Sequence, residues 1–157
     1  MSTRKIVTGV LALALVLLVA ANVVVRIRAT TDEDGRAARV VAQQAVTGFF
    51  SLNHADPGKD VDAVVALSTG TFKKEYAAKR SAIVESVTTN KMVVKATVPG
   101  DGAALEYLSR TSAQVLVAVD VHSTSKSESS DSRYRTRVRL TKQDDGAWKV
   151  SGLEQIG

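Results

Sequence analysis

The pattern of apolar and polar positions along this chain changes character twice. From Ile6 to Val25 (IVTGVLALALVLLVAANVVV) there is no alternation, only twenty residues without a charge. At ~1.5 Å of rise per residue such a run makes about 30 Å of helix, the thickness of a bilayer's hydrocarbon core. Beyond it, Ala38, Val41, Ala42, Ala45, Phe49 and Leu52 recur at helical spacing, while Arg36, Arg39, Gln43 and Gln44 fall largely off that stripe. Thr30 and Thr31 before Asp32-Glu33-Asp34 predict a helix start, with a break from the apolar run near Gly35.

His54-Ala55-Asp56-Pro57-Gly58 predicts a turn. A second helix follows, with Asp60 as its cap, Val61, Val64 and Val65 inward and Gly70 as its stop. Thr71 is placed to cap a third, whose stripe is Phe72, Tyr76, Ile83, Val84 and Val87. After Asn90 the period drops to 2. Met92 to Val98 predicts a strand, interrupted by Pro99-Gly100-Asp101-Gly102 and then either resumed or followed by a short edge piece over Ala104 to Leu108. Val115, Val117, Val119 and Val121 share one face of the next strand. The polar stretch Ser123 to Ser132 predicts a mobile hairpin loop. Beyond it, Arg133, Arg135, Arg137 and Arg139 alternate with Tyr134, Thr136, Val138 and Leu140, which sets four guanidinium groups on one strand face. Asp144-Asp145-Gly146 is a tight hairpin turn. Trp148 and Val150 open the last strand, Gly152 marks a bulge, and Leu153 and Ile156 are expected back on the core side. The expected architecture is α+β: an N-terminal transmembrane helix over 1–28, then a 29–157 domain of three helices on a curved antiparallel sheet.

Composition narrows the picture only slightly. Arg4, Lys5 and Arg26 flank the apolar run, and the remaining 18 basic residues nearly balance 16 acidic ones. That balance argues against nucleic acid as a partner. There is no cysteine, so disulfides and lipoprotein processing are excluded. The run is longer than a signal peptide's ~7–15-residue apolar core, and Leu18-Val19-Ala20 matches a cleavage site poorly. An uncleaved single-pass anchor in the plasma membrane is expected, with a cytoplasmic N-terminus and an exported domain.

Candidate chemistry is sparse. His122 and Asp120 would share a strand face at ~7 Å backbone separation, facing water. His54 lies in a turn, no nucleophile motif stands out, and two separated histidines do not make a metal site. The expectation is a non-enzyme with no cofactor and no metal. Trp148, Phe49, Phe50, Phe72 and Tyr76 read as core. The arginines have two readings. In one they are a solvated face relieved by carboxylates such as Asp120 or Glu154; in the other, Arg133, Arg135, Arg137 and Arg139 dock on an acidic partner or anionic headgroups. In the anchor, Thr8 and Ala12 form a small-residue pair and Asn22 is a polar group suited to helix–helix contact.

VLVAVDV (Val115 to Val121), SRYRTRVRL (Ser132 to Leu140) and DGAWKVSGLEQI (Asp145 to Ile156) resemble the C-terminal half of actinobacterial Mce-associated membrane proteins. LNHADPGKDVDAVVALSTGTF (Leu52 to Phe72) is similar to that family's loop and second helix. Thr71 and Gly152 depart from acidic residues common there. The resemblance implies an NTF2-like, cystatin-related fold and a non-catalytic accessory subunit of an Mce lipid (fatty acid or sterol) importer. Its implied partners are the transporter's permease and Mce subunits, with the bilayer held through the anchor. The alternative is a membrane-tethered domain that carries lipid itself, and an isomerase-like enzyme comes third.

Overall fold

The computed structural model describes residues 19–20 and 31–156. The expected membrane stretch, with Thr8, Ala12 and Asn22, therefore lies outside the described residues except at positions 19–20. Among the described residues no helix is long and apolar enough to cross a membrane. The chain divides into two units, Met1–Asp34 and Gly35–Gly157, and the second holds the whole sheet.

Helix α1 covers 31–50 of the described chain. It is followed by β1 (Leu52–Asn53), α2 (Pro57–Leu67), α3 (Gly70–Ala78), α4 (Arg80–Thr89), β2 (Val93–Thr97), β3 (Ala103–Leu108), β4 (Ser112–Thr124), β5 (Ser129–Lys142) and β6 (Trp148–Gln155). All strand pairings are antiparallel, in the order β1-β2-β4-β5-β6, with β3 also on β4. Because β5 occupies one edge of β4 along its whole length, β2 and β3 must share the other, end to end. They run as one strand along that side of β4, interrupted at Pro99–Gly102, where the Ala118 N–H donates to the Gly102 carbonyl at 2.7 Å.

The strand alternation sends Val115, Val117, Val119, Val138, Leu140 and Val150 inward, each at most 1% exposed. Each such side chain contributes roughly 1.5–3 kcal/mol by leaving water. Facing them on α1 are Ala38, Ala42, Ala45 and Val46, also buried in the same cluster. Small side chains let the helix axis come close, so the inner face of the sheet is filled by contact between helix and sheet. Thr136, the buried polar residue of this face, donates its hydroxyl to the Val117 carbonyl at 3.2 Å. A smaller cluster of Val61, Val64 and Tyr76 joins α2 to α3, and Phe49 and Ile83 pack against it. Phe50 stacks on Tyr134 with ring centroids 5.2 Å apart.

Several expectations are corrected. No break occurs at Gly35, where the chain is helical; a Cβ there would meet Leu105 at 3.2 Å, so the glycine serves close packing of β3. Leu52 leaves the helical stripe and pairs with Val94 in β1. The cap of α2 is Asp56, whose Oδ1 accepts from the Lys59 N–H at 3.3 Å, with Pro57 starting the helix. Asp60 instead accepts from the Asn53 N–H at 2.8 Å.

The third helix is two, making four helices among residues 31–156. Thr69, not Thr71, sits at the start of α3, and Gly70, expected as a stop, begins it at φ +62°. At Lys79 the N–H turns back to the Tyr76 carbonyl at 3.1 Å before α4 restarts, which lets Arg80 chelate Asp62 on α2 at 2.7 and 2.8 Å. The polar Ser123–Ser132 stretch is mostly ladder: Thr124 pairs with Ser129, and only residues 125–128 turn. Lys126 fastens this hairpin by donating to the Thr89 carbonyl at 2.7 Å, a cation at the negative end of α4. Ile156 lies opposite Arg135 on the outer side. Leu153 is inward, and a residue three further along a strand must point the other way.

The close helix–sheet contact makes a direct prediction. Ala42→Leu should destabilise the fold by ~1–3 kcal/mol through overpacking, whereas Val40→Ala on the solvent side of α1 should stay within about 0.5 kcal/mol. Urea unfolding of the two variants checks this.

Candidate interaction surface

The outer face of the sheet is built by register. Across β4 and β5, Asp120 faces Arg133, Ala118 faces Arg135, Leu116 faces Arg137 and Gln114 faces Arg139. On the other side of β5, Glu154 lies opposite Arg137 and Gly152 opposite Arg139. The four arginines do share the outer face, and their neighbours decide what each can do.

Arg133 grips Asp120 through two bonds, with Nη2 donating to Oδ2 at 2.9 Å. Arg137 donates to both oxygens of Glu106 at 2.8 and 3.1 Å, although Glu106 is two strands away on β3. A β-bulge makes this reach possible: Leu105 pairs with Val115 and Tyr107 with Gln114, so Glu106 is the extra residue. Arg139 lies 3.9 Å from Glu154, and its guanidinium passes over Gly152, where a Cβ would come within 2.9 Å. Gly152 does adjoin a bulge, since Leu140 pairs with Val150 and Arg139 with Gly152, leaving Ser151 unmatched. Arg135 faces an alanine on one strand and Ile156 on the other, so its guanidinium has no ion-pair partner among the described residues.

Two grooves open on this face. One, of ≈ 400 Å³, includes Asp101, Ala104, Leu116, Ala118, Arg135 and Ile156 in its lining. It lies where the strand breaks between β2 and β3, and the short side chains of Ala104 and Ala118 leave the depression. Gly102 permits the break, because a Cβ there would stand 3.0 Å from the Ala118 carbonyl. The other, ≈ 580 Å³, lies among Lys95, Thr97, Asp120, His122, Asp131 and Arg133. Its His122 Nδ1 bonds Asp131 Oδ1 at 2.7 Å, not Asp120. With Asp131 85% exposed, that pair stands in water rather than in the apolar pocket that proton transfer to a bound substrate favours.

His54 contributes its backbone N–H to the Met92 carbonyl. Trp148 is buried beneath Lys142, whose Nζ is 5.6 Å from the ring centroid, and its indole Nε1 has no hydrogen-bond partner among the described residues. Among the described residues no cluster of three metal-ligating side chains occurs. Sequence reasoning missed Glu106. Its signal was the odd spacing of Ala103 and Leu108, both packed inward, which a regular strand cannot achieve.

The fold, a curled antiparallel sheet packed over one helix, is similar to that of periplasmic domains of known structure. The periplasmic domain of DotI has a TM-score of 0.62 at 19% identity, over 77% of this chain and 94% of that domain. CagV, described as a VirB8 homolog of the type IV secretion system of Helicobacter pylori, has a TM-score of 0.59 at 8% identity, over 78% of this chain and 99% of that one. At these identities the likeness is one of fold. A family model described as "Uncharacterized protein Rv1363c/MT1408-like" matches residues 1–157, and the chain belongs to that family. The Mycobacterium tuberculosis protein described as "Uncharacterized protein Rv1363c" is 29% identical over 129 residues, 80% of this chain. The chain spans about half of that relative's length, 49%.

Arg133 holds the Asp120 carboxyl below its ordinary 3.8, chiefly by hydrogen bonding. A carboxyl depressed on folding stabilises fully above its unfolded value and loses that contribution as pH falls through the folded one. A carbon-13 titration should therefore give Asp120 a midpoint below 3.8, moving back towards 3.8 in Arg133→Gln.

Proposed function

We propose that this protein is a non-catalytic, single-pass membrane subunit whose domain serves as a docking scaffold in an envelope complex. More specifically, it acts as an accessory subunit of an Mce-type importer of fatty acids or sterols. The N-terminus is cytoplasmic and the domain extracytoplasmic. The observation that carries this reading is the division of labour between the two sheet faces: the inner one packs against α1 and the outer one carries the arginines and their carboxylates. Two considerations support it further. DotI and CagV, whose domains share the fold, belong by their descriptions to periplasmic and secretion-system settings, and the sequence resembles Mce-associated proteins over the stretches quoted above. Fold alone does not carry function, so the site and the resemblance bear the weight.

On this reading Thr8, Ala12 and Asn22 contact the permease within the bilayer, and the outer face meets an Mce subunit. The alternative lipid-carrying role has the open outer hollow as its candidate site.

Chemical cross-linking in native actinobacterial membranes, followed by gentle purification of the tagged chain, is expected to recover permease and Mce subunits. Recovery of bound lipid without those subunits would overturn the scaffold reading in favour of the carrier. Replacing Ile6 to Val25 with an unrelated apolar helix should reduce the recovery of permease.

A further inference from the structure

Resting on the scaffold reading, a sharper statement about the partner follows from the two ionic groups that line the ≈ 400 Å³ hollow. Every other arginine of the ladder has a carboxylate within 4 Å: Asp120 for Arg133, Glu106 for Arg137 and Glu154 for Arg139. Among the described residues Arg135 has none, and Asp101, which lines the same hollow, has no ion-pair partner there either. Ala104, Leu116, Ala118 and Ile156 supply the apolar part of the same lining.

We propose that this hollow docks a segment of a partner polypeptide in which an acidic and a basic residue flank an apolar one. The acid's carboxylate takes the forked donors of Arg135, which match a carboxylate in geometry as well as charge. The apolar side chain covers the alanine floor, and the base or a backbone N–H reaches Asp101. A polypeptide fits this arrangement better than a free fatty acid does. A fatty acid offers nothing to Asp101, whose negative charge would oppose it, and its long tail needs an enclosure that an open depression on a sheet does not provide. The ion-paired arginines on either side set the register, since their carboxylates repel any acid placed out of line with Arg135.

The test uses the full-length chain in detergent micelles, following arginine Nε–Hε and backbone amide signals by NMR. The probe is acetyl-Lys-Leu-Glu-amide at millimolar concentration. Saturable shifts of the Arg135 Nε–Hε, Ala118 and Ile156 signals are expected. Glutamine in place of the peptide's glutamate should weaken binding by about tenfold or more, as loss of a charge-assisted hydrogen bond implies. Arg135→Gln should abolish the shifts, whereas Arg110→Gln, outside the hollow, should leave them unchanged.

A response to decanoate but not to the peptide would overturn the proposal and make the hollow a lipid-carboxylate site. Equal binding of the glutamate and glutamine peptides, or no response of Arg135 to either, would also overturn it. If cross-linking still recovered Mce subunits, the scaffold reading would survive that failure and the docking contact would lie elsewhere.

Discussion

The thirteen-residue register between β4 and β5 is the constraint on which the rest of the molecule depends. A slip of β5 by one residue would turn its Val138 and Leu140 to solvent and its arginines into the core. The valines and Leu140 have no other place to be buried, so their loss of contact with water holds the register. The same register decides the chemistry of the opposite face, because it sets Asp120 across from Arg133 and leaves Ala118 across from Arg135. Hydrophobic packing on one side thus determines which charges meet on the other. The ion pairs themselves are exposed and contribute little stability; they matter for what they leave unpaired.

Much of this was legible in the residues, and the omissions have physical causes. Alternation in Val115 to Val121 and in Arg133 to Leu140 follows directly from burying one face of a strand. The split between α3 and α4 was hidden because the tightened turn at Lys79 preserves helical phase, so Phe72, Tyr76, Ile83 and Val87 read as one stripe. The serine-rich hairpin misled because ladder hydrogen bonds are made by the backbone, which composition does not report. Arg133 pairs with the foreseen Asp120, but Arg137 pairs with Glu106, a residue whose position depends on a bulge in another strand. Arg135 reads like its neighbours in sequence and becomes different only through the strands beside it. The membrane stretch and its candidate contacts lie outside the described residues, so their reading stands on apolar length alone.

The two faces also explain how a fold shared with DotI and CagV can persist at 8–19% identity. The inner face needs only small residues on α1 and apolar alternation on the strands, a requirement many sequences meet. The outer face is unconstrained by packing, so its charges are free to follow whatever each protein meets.

The two bulges reach beyond the ion pairs they create. Unpaired strand edges recruit other strands, and a chain held at high local concentration risks adding copies of itself without limit. Here one end of the sheet is a two-residue strand, β1. The exposed edge of β3 is kinked at Glu106, and that of β6 is kinked at Ser151 and bridged at Val150 by Ser68. The borders at β3 and β6 are therefore blunted. Growth by strand addition is discouraged at those edges, which favours neighbours that approach over the face, where side chains rather than backbone choose them.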